Sequence, residues 1–310
     1  MPNEKRYDIL IVGAGPAGYT AGLYAARAGR SVLMIDKGIG GGQLASTFRI
    51  ENYPGVSGEI PGFDLAERMK TQALQFGAVF SQEEVVGLVP DNDLFVVQTT
   101  TDTYTARAVI LATGASPRKL EVDGEARLTG RGVSYCATCD GAFFRGKNVA
   151  VVGGGNSAVE EALFLAQFAN EVTIVHRRSE LRADKVIQEE AINNPNIKLL
   201  YNYVVASIAG EDKVTGLNLA STAGGPDKFL PCDGVFVYVG NIPNSQLVRG
   251  LVELDEQGFV LVDDELQTSL PGLYAAGDVR HKFLRQVVTA CSDGATAATA
   301  AAMYLSKKGA

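Results

Sequence analysis

The chain has 310 residues, of which 46% are hydrophobic and 20% charged, and its net charge is −7. This length allows two domains with separate cores, and this balance belongs to globular proteins rather than disordered ones. No long basic run points to nucleic acid or a membrane surface, no apolar run is long enough to span a bilayer, and four cysteines are too few for a disulfide framework.

The short apolar run at the start leads straight into glycines and does not read as a signal peptide, so the expected location is cytoplasmic. The first strong element is "YDILIVGAGPAGYTAGLYAARAG". Tyr7 to Val12 predicts a buried parallel strand. Gly13, Gly15 and Gly18 then match G-x-G-x-x-G, with Pro16 and Ala17 between them, and a helical pattern follows. Asp36 closes the next apolar run, just before Lys37, where a carboxylate can grip a ribose. Residues 85–112 read as a small antiparallel meander that returns as a buried strand over 107–112.

A Gly- and Pro-bearing stretch, "GASPRKLEVDG" at 114–124, reads as a domain junction. Beyond it, "SYCATCDGAF" places two cysteines two residues apart. Such a pair fits a redox dithiol, half of a metal site, or buried filler. A zinc site needs four ligands, yet a second C-x-x-C is absent, Cys232 and Cys291 stand alone, and there are only two histidines. A redox pair needs an electron source.

That source appears next, in "NVAVVGGGNSAVEEALFLAQFANEVTIVHRR". Here Gly153, Gly155 and Ser157 follow a strand, and Ala158 is small enough for close helix–strand packing. The strand after this helix ends in His176, Arg177 and Arg178, with Arg182 beyond, rather than in an acid. Arginines suit the 2′-phosphate of NADPH. A second meander, "NYVVASIAGEDKVTGLNLAS", and the strand "DGVFVYVG" complete this region, and "GNIPNSQLVRG" at 241–250 reads as the return junction. A further strand, "TSLPGLYAAGD", ends in Gly277 and Asp278, and an Ala-rich closing helix follows from about 285 to 307. The expected fold class is α/β, with two Rossmann-like nucleotide-binding domains, one inserted into the other. The boundaries fall at 1–116, 117–245 and 246–310. Two dinucleotide sites and a dithiol make a chain of redox carriers, which a flavin would connect.

These motifs resemble the bacterial-type, low-molecular-weight thioredoxin reductases along essentially the whole chain. The marks are "GAGPAG", "GGQL", "ENYPG", "ATG", "CATCDG", "GGGNSAVEEALFL", "HRRSELRA", "YAAGDVR" and "RQVVTA". The resemblance implies three-layer ββα domains, FAD in the outer domain, NADPH in the inserted one, thioredoxin as partner, and a homodimer. It implies that Cys139 faces the flavin, Cys136 attacks the partner disulfide, and Asp140 is the acid–base residue. It places FAD against Gly42, Gln43, Leu44, Asn52, Val85, Ala112, Thr113, Gly114, Gly277, Asp278, Arg285, Gln286 and Val287, besides the first glycine motif. It places NADPH against Gly153, Gly155, Asn156, Ser157, Ala158, His176, Arg177, Arg178 and Arg182. It also implies rotation of the inserted domain about hinges near 117 and 245. A flavin disulfide reductase of the same fold with another partner, or with NADH or ferredoxin as donor, is the alternative. The chain departs from the pattern at His281, Cys291 and Ser292. Cys291 reads as a buried small residue of the closing helix, and His281 as a surface variant.

Overall fold

The computed structural model describes residues 5–45, 47, 50 and 52–309. The chain opens with β1 (Arg6–Val12), α1 (Pro16–Arg27), β2 (Val32–Asp36), α2 (Gly42–Ala45), α3 (Gly62–Gln75) and β3 (Val79–Gln82). The meander β4 (Val85–Asp91), β5 (Leu94–Thr99) and β6 (Thr103–Leu111) leads to the connector β7 (Ala115–Pro117). Next come α4 (Glu125–Leu128), β8 (Val133–Ser134), α5 (Ala137–Asp140), β9 (Asn148–Gly153), α6 (Asn156–Leu165), β10 (Glu171–His176), α7 (Lys185–Asn193) and β11 (Ile197–Tyr201). A second meander, β12 (Tyr203–Ala209), β13 (Gly216–Ser221) and β14 (Lys228–Pro231), precedes β15 (Gly234–Tyr238). The connector β16 (Asn241–Pro243), β17 (Leu273–Ala275) and α8 (Val287–Lys307) close the chain.

Contacts divide the chain into two units. One holds the residues up to Ser116 together with those from Ile242 on, and the other is Pro117–Asn241. The two connecting strands, β7 and β16, pair with each other.

The first unit is built on a sheet in the order β3-β2-β1-β6-β5-β4, with β17 also paired to β6. β3, β2, β1, β6 and β17 run parallel, while β4, β5 and β6 form the antiparallel meander. β1 reads as one apolar run because it is buried on both faces. Ile9 and Ile11 pack with the alanines of α1 and α8. Leu10 and Val12, on the other face, pack with Leu88, Phe95 and Val97 of the meander. Side chains alternate along a strand, so one hydrophobic run serves two layers. The helix layer needs small residues: a Cβ on Gly294 of α8 would sit 2.2 Å from the Ala17 carbonyl oxygen of α1.

The second unit repeats the plan. The parallel sheet β11-β10-β9-β15-β8 has a separate antiparallel trio β12-β13-β14. Val149 and Val151 pack with α6, while Ala150 and Val152 pack with Val205, Leu217 and Leu219 of the trio. Both units are thus three-layered Rossmann-like folds.

Candidate active site

The first glycine loop is pinned from behind. Gly13 has φ +100°, and a Cβ there would lie 2.4 Å from the Ala112 carbonyl oxygen, so only glycine fits. Its N–H donates to the Ile35 carbonyl at 2.8 Å. Both oxygens of Asp36 accept backbone N–H bonds, from Ala14 and from Gly38, each at 2.8 Å. Each oxygen keeps a second lone pair for a ribose hydroxyl. Gly15 caps α1 with no side-chain bond, followed by Pro16 and Ala17, which leaves the helix N-terminus to an anion. Lys37 beside it is exposed.

Several of the other expected flavin residues of this unit are held by hydrogen bonds to distant segments. Gln43, between Gly42 and the buried Leu44, donates to the Ala115 carbonyl oxygen. Thr113 Oγ1 donates to the Asn244 carbonyl oxygen at 2.6 Å, and Asn244 Nδ2 donates to the Thr113 carbonyl at 2.9 Å. Asn244 also bonds Gly114 O through its own N–H at 3.0 Å, so it grips the strand end that sequence reasoning assigned without it. Asn52 Nδ2 donates to Gln286 Oε1 at 3.2 Å, and Gln286 caps α8 ahead of Val287 in a capping box with Thr289. Val85 opens β4 and is half-buried. Glu51, in the same motif as Asn52, lies outside the described residues.

Asp278 decides how well a flavin dinucleotide fits. Its Oδ1 is buried without a hydrogen-bond partner, and burial raises its pKa. Arg285 Nε is likewise buried without one, and its guanidinium lies 4.3 Å over the Phe259 ring. A buried acceptor and a buried donor without partners are costly unless a ligand completes them, and hydroxyls and phosphates of FAD are such ligands. The turn carrying Asp278 is fixed by Asp293, which the sequence analysis did not single out. Asp293 accepts the Gly277 N–H at 3.0 Å, Arg280 at 2.8 and 2.9 Å, and Lys282 Nζ at 2.6 Å. Only 5% of the Lys282 side chain and 8% of the Asp293 side chain are exposed. The signal was present as Arg280, Lys282 and Asp293 in one segment, but nothing in the spacing shows that they meet.

In the second unit, Gly155 caps α6 without a side-chain bond. Asn156 and Asp184 bond reciprocally, at 2.8 and 2.9 Å. Ala158 is fully buried and Ser157 is exposed. Arg177, Arg178 and Arg182 are exposed, and the Arg182 N–H closes onto the Gly154 carbonyl at 2.6 Å. His176, unlike the arginines, is buried. It is 5% exposed, and its ring lies so close under Gly154 that a Cβ there would be 2.2 Å from Nδ1. Burial, then the charges of Arg182 and Arg178, lower its pKa, so it is neutral near pH 7. It supports the loop from below.

The dithiol lies in this same unit. Cys136 and Cys139 form a disulfide with Cα atoms 5.3 Å apart. Cys136 caps α5, and the Asp140 N–H donates to its carbonyl at 3.1 Å. Ser134 Oγ donates to Asp140 Oδ2 at 2.7 Å and accepts the Cys136 N–H at 3.1 Å. Burial raises the pKa of Asp140, as a proton-holding role at neutrality needs. On the other side, the Tyr238 hydroxyl accepts the Ala137 N–H between the two cysteines.

Glu161 on α6 is pushed to about 7, by burial and then by Glu160 beside it. Its folded value exceeds the unfolded one, so the stability it contributes is whole below the ordinary carboxylate range and is lost as pH rises through about 7. Replacing Glu161 with Gln should flatten this decline by about 1–2 kcal/mol after allowance for solvent screening. Urea midpoints measured across that pH range check it, and an unchanged slope refutes it.

Cys291 departs from expectation. It is half-buried rather than buried, because it faces the Tyr53 hydroxyl at 3.7 Å beside a cleft of about 490 Å³. Cys232 is buried, and burial pushes its thiol up to about 12. His281 is exposed and pairs with Asp255 at 2.8 Å. Among the described residues, no group of three or more His, Cys, Asp or Glu is placed to hold a metal ion, and no helix is long and apolar enough to cross a membrane.

The pattern of the pyridine nucleotide-disulphide oxidoreductases matches residues 7–294. The chain belongs to that family. Among curated members it is 48% identical to the thioredoxin reductase of Listeria monocytogenes, over 97% of this chain and 95% of that one. It is 46% identical to the thioredoxin reductase of Bacillus subtilis, over 98% and 96%. The crystal structure of thioredoxin reductase from Streptococcus pyogenes superposes with a TM-score of 0.91 at 45% identity, covering 98% of this chain and all of that one. Within the oxidoreductase family, the chain is therefore a member of the thioredoxin reductases, which use FAD and NADPH.

Proposed function

We propose that this chain is an NADPH-dependent thioredoxin-disulfide reductase in which the first unit binds FAD and the inserted unit, Pro117–Asn241 rather than the expected 117–245, binds NADPH and carries the redox dithiol. The observation that carries the reading is the Cys136–Cys139 disulfide, built into a nucleotide-binding unit beside a half-buried Asp140 whose pKa burial raises. Bound FAD supplies the exchange of two electrons between a nicotinamide hydride and a disulfide. Two electrons open the Cys136–Cys139 bond, with one proton taken up on Asp140 and one on Cys139, so that Cys136 is left as the thiolate. The Cys136 thiolate then attacks a partner disulfide, forming a mixed disulfide and breaking the partner's S–S bond. Asp140 protonates the departing partner thiolate. Cys139 attacks Cys136 Sγ, which restores the internal disulfide and releases the second partner thiolate. Asp278, Asp36 and the first glycine loop hold the flavin dinucleotide, and Asn156 and the second loop hold the nicotinamide one.

The test mixes the purified protein with NADPH and then with oxidised thioredoxin, following flavin absorbance. Bleaching followed by recovery on addition of thioredoxin is expected. No bleaching refutes the flavin reading, and bleaching without recovery refutes thioredoxin as the partner.

Arg177 and Arg178 are exposed at the strand end where a 2′-phosphate would sit. They support NADPH over NADH. Changing both to Gln should raise KM for NADPH by roughly 10–100-fold and leave NADH use nearly unchanged. Steady-state kinetics with both donors decide this, and an equal rise for both would contradict it.

A cytoplasmic homodimer completes the proposal. Tyr24, Phe63, Leu74 and Phe76, on and beside α1 and α3, are large apolar side chains left exposed on the first unit, a face suited to a second copy.

A further inference from the structure

Glu83 stands in the turn between β3 and β4, outside the chemistry described above. Its carboxylate accepts four hydroxyl bonds. Thr101 and Tyr104 donate at 2.6 Å each, and Ser81 and Thr99 donate as well. These donors belong to β3, the end of β5, the turn after it, and β6. One carboxylate thus ties the edge strand of the parallel sheet to the antiparallel layer. Hydroxyl bonds to an ionised acceptor are among the stronger ones, and they hold this carboxyl far below its usual range, to about 2.

What lies on either side of this turn gives it a role. Gln82, just before it, pairs with Asp36 across β3 and β2. The Glu83 N–H donates to the Asp36 carbonyl at 2.9 Å. Val85, expected to touch the cofactor, follows two positions on. Asp36, expected at the ribose, and Val85 are therefore both anchored to the segment that Glu83 locks. A surface turn between two strands is ordinarily among the softer parts of a fold, and four bonds to one side chain remove that softness.

We propose that Glu83 is a positioning residue for the adenosine half of FAD, fixing the turn that sets Asp36 and Val85 against that half. This rests on the reading of the first unit as the flavin unit. The test uses the full chain stripped of flavin. FAD affinity is read from quenching of flavin fluorescence, and ADP and FMN are each titrated as competitors against FAD. Glu83→Gln should weaken FAD about tenfold, a loss of about 1.4 kcal/mol, and weaken ADP by the same factor while leaving FMN competition unchanged. Unchanged FAD affinity overturns the proposal, as does a FAD loss without the ADP loss. An equal loss for FMN also overturns it, because it would report general loosening rather than a role at the adenosine end. Thr101→Ala removes one exposed donor and should give the same pattern at roughly two- to threefold, so the proposal stays testable if Glu83→Gln folds poorly. Asp36→Asn separates the two readings: if it leaves FAD affinity unchanged, the flavin assignment of the unit fails, whatever Glu83 does.

Discussion

With Cys136 replaced by Ser, thioredoxin reduction should fall by more than about 10³-fold, while NADPH still bleaches the flavin. The reasoning starts from the bond inventory. Turnover needs a sulfur that attacks the partner and a second sulfur that releases it, and the pair sits on one short helical turn with Cα atoms 5.3 Å apart. A serine oxygen cannot form the mixed disulfide, and nucleophile removal in enzymes costs several orders of magnitude. With the flavin in the first unit, as proposed, hydride acceptance does not need Cys136. Rapid mixing under anaerobic conditions separates the two half-reactions. If the variant retained thioredoxin turnover above a tenth of the parent rate, the dithiol would not be the exit for electrons.

Replacing Asp293 with Ala should destabilise the first unit by about 3–5 kcal/mol, because it strands the buried Lys282 and the largely buried Arg280 and frees the Gly277 N–H. For a unit of this size, that loss lowers the unfolding midpoint by roughly 10 °C. Differential scanning calorimetry with and without added FAD measures it. A Lys282→Met change on top of Asp293→Ala should recover part of the loss, since the cost comes from the stranded charge. A shift under about 2 °C, or no recovery, would mean that water reaches the cluster and that the ion pairs contribute little.

Much of the site was readable from local sequence, since a short stretch of backbone makes it. Each glycine loop sits between a strand and a helix that identify themselves by period, and Gly13 is required by its own φ and by one neighbouring carbonyl. The continuous apolar run of β1 also signalled a buried parallel strand, while the three layers came only from the family resemblance. Features assembled across the chain were not readable. Asp293 meets Arg280 and Lys282 only because the turn after β17 folds onto α8. Asn244 reaches Thr113 only through the return crossing. Nor does the spacing show that the His176 ring is buried beneath Gly154 while Arg177 and Arg178 remain in solvent. Cys291 was misjudged for a related reason, since helical period alone does not show that Tyr53 and a cleft lie opposite it.

The interruption of the first unit by the second bears on how the chain is made. During synthesis α1 emerges early, but its alanine face has no cover until α8, the last helix, leaves the ribosome. Residues 117–241 intervene, and left unstructured they would be a long loop to close. The Arg118 N–H donates to the Gly240 carbonyl at 2.8 Å, within the inserted unit and at its two ends. Once that unit folds, it brings its own ends together, and the remaining closure resembles that of a short hairpin. The insertion then works as a preassembled turn, so lesions in the core of the inserted unit should delay maturation of the first unit even though they touch none of its residues.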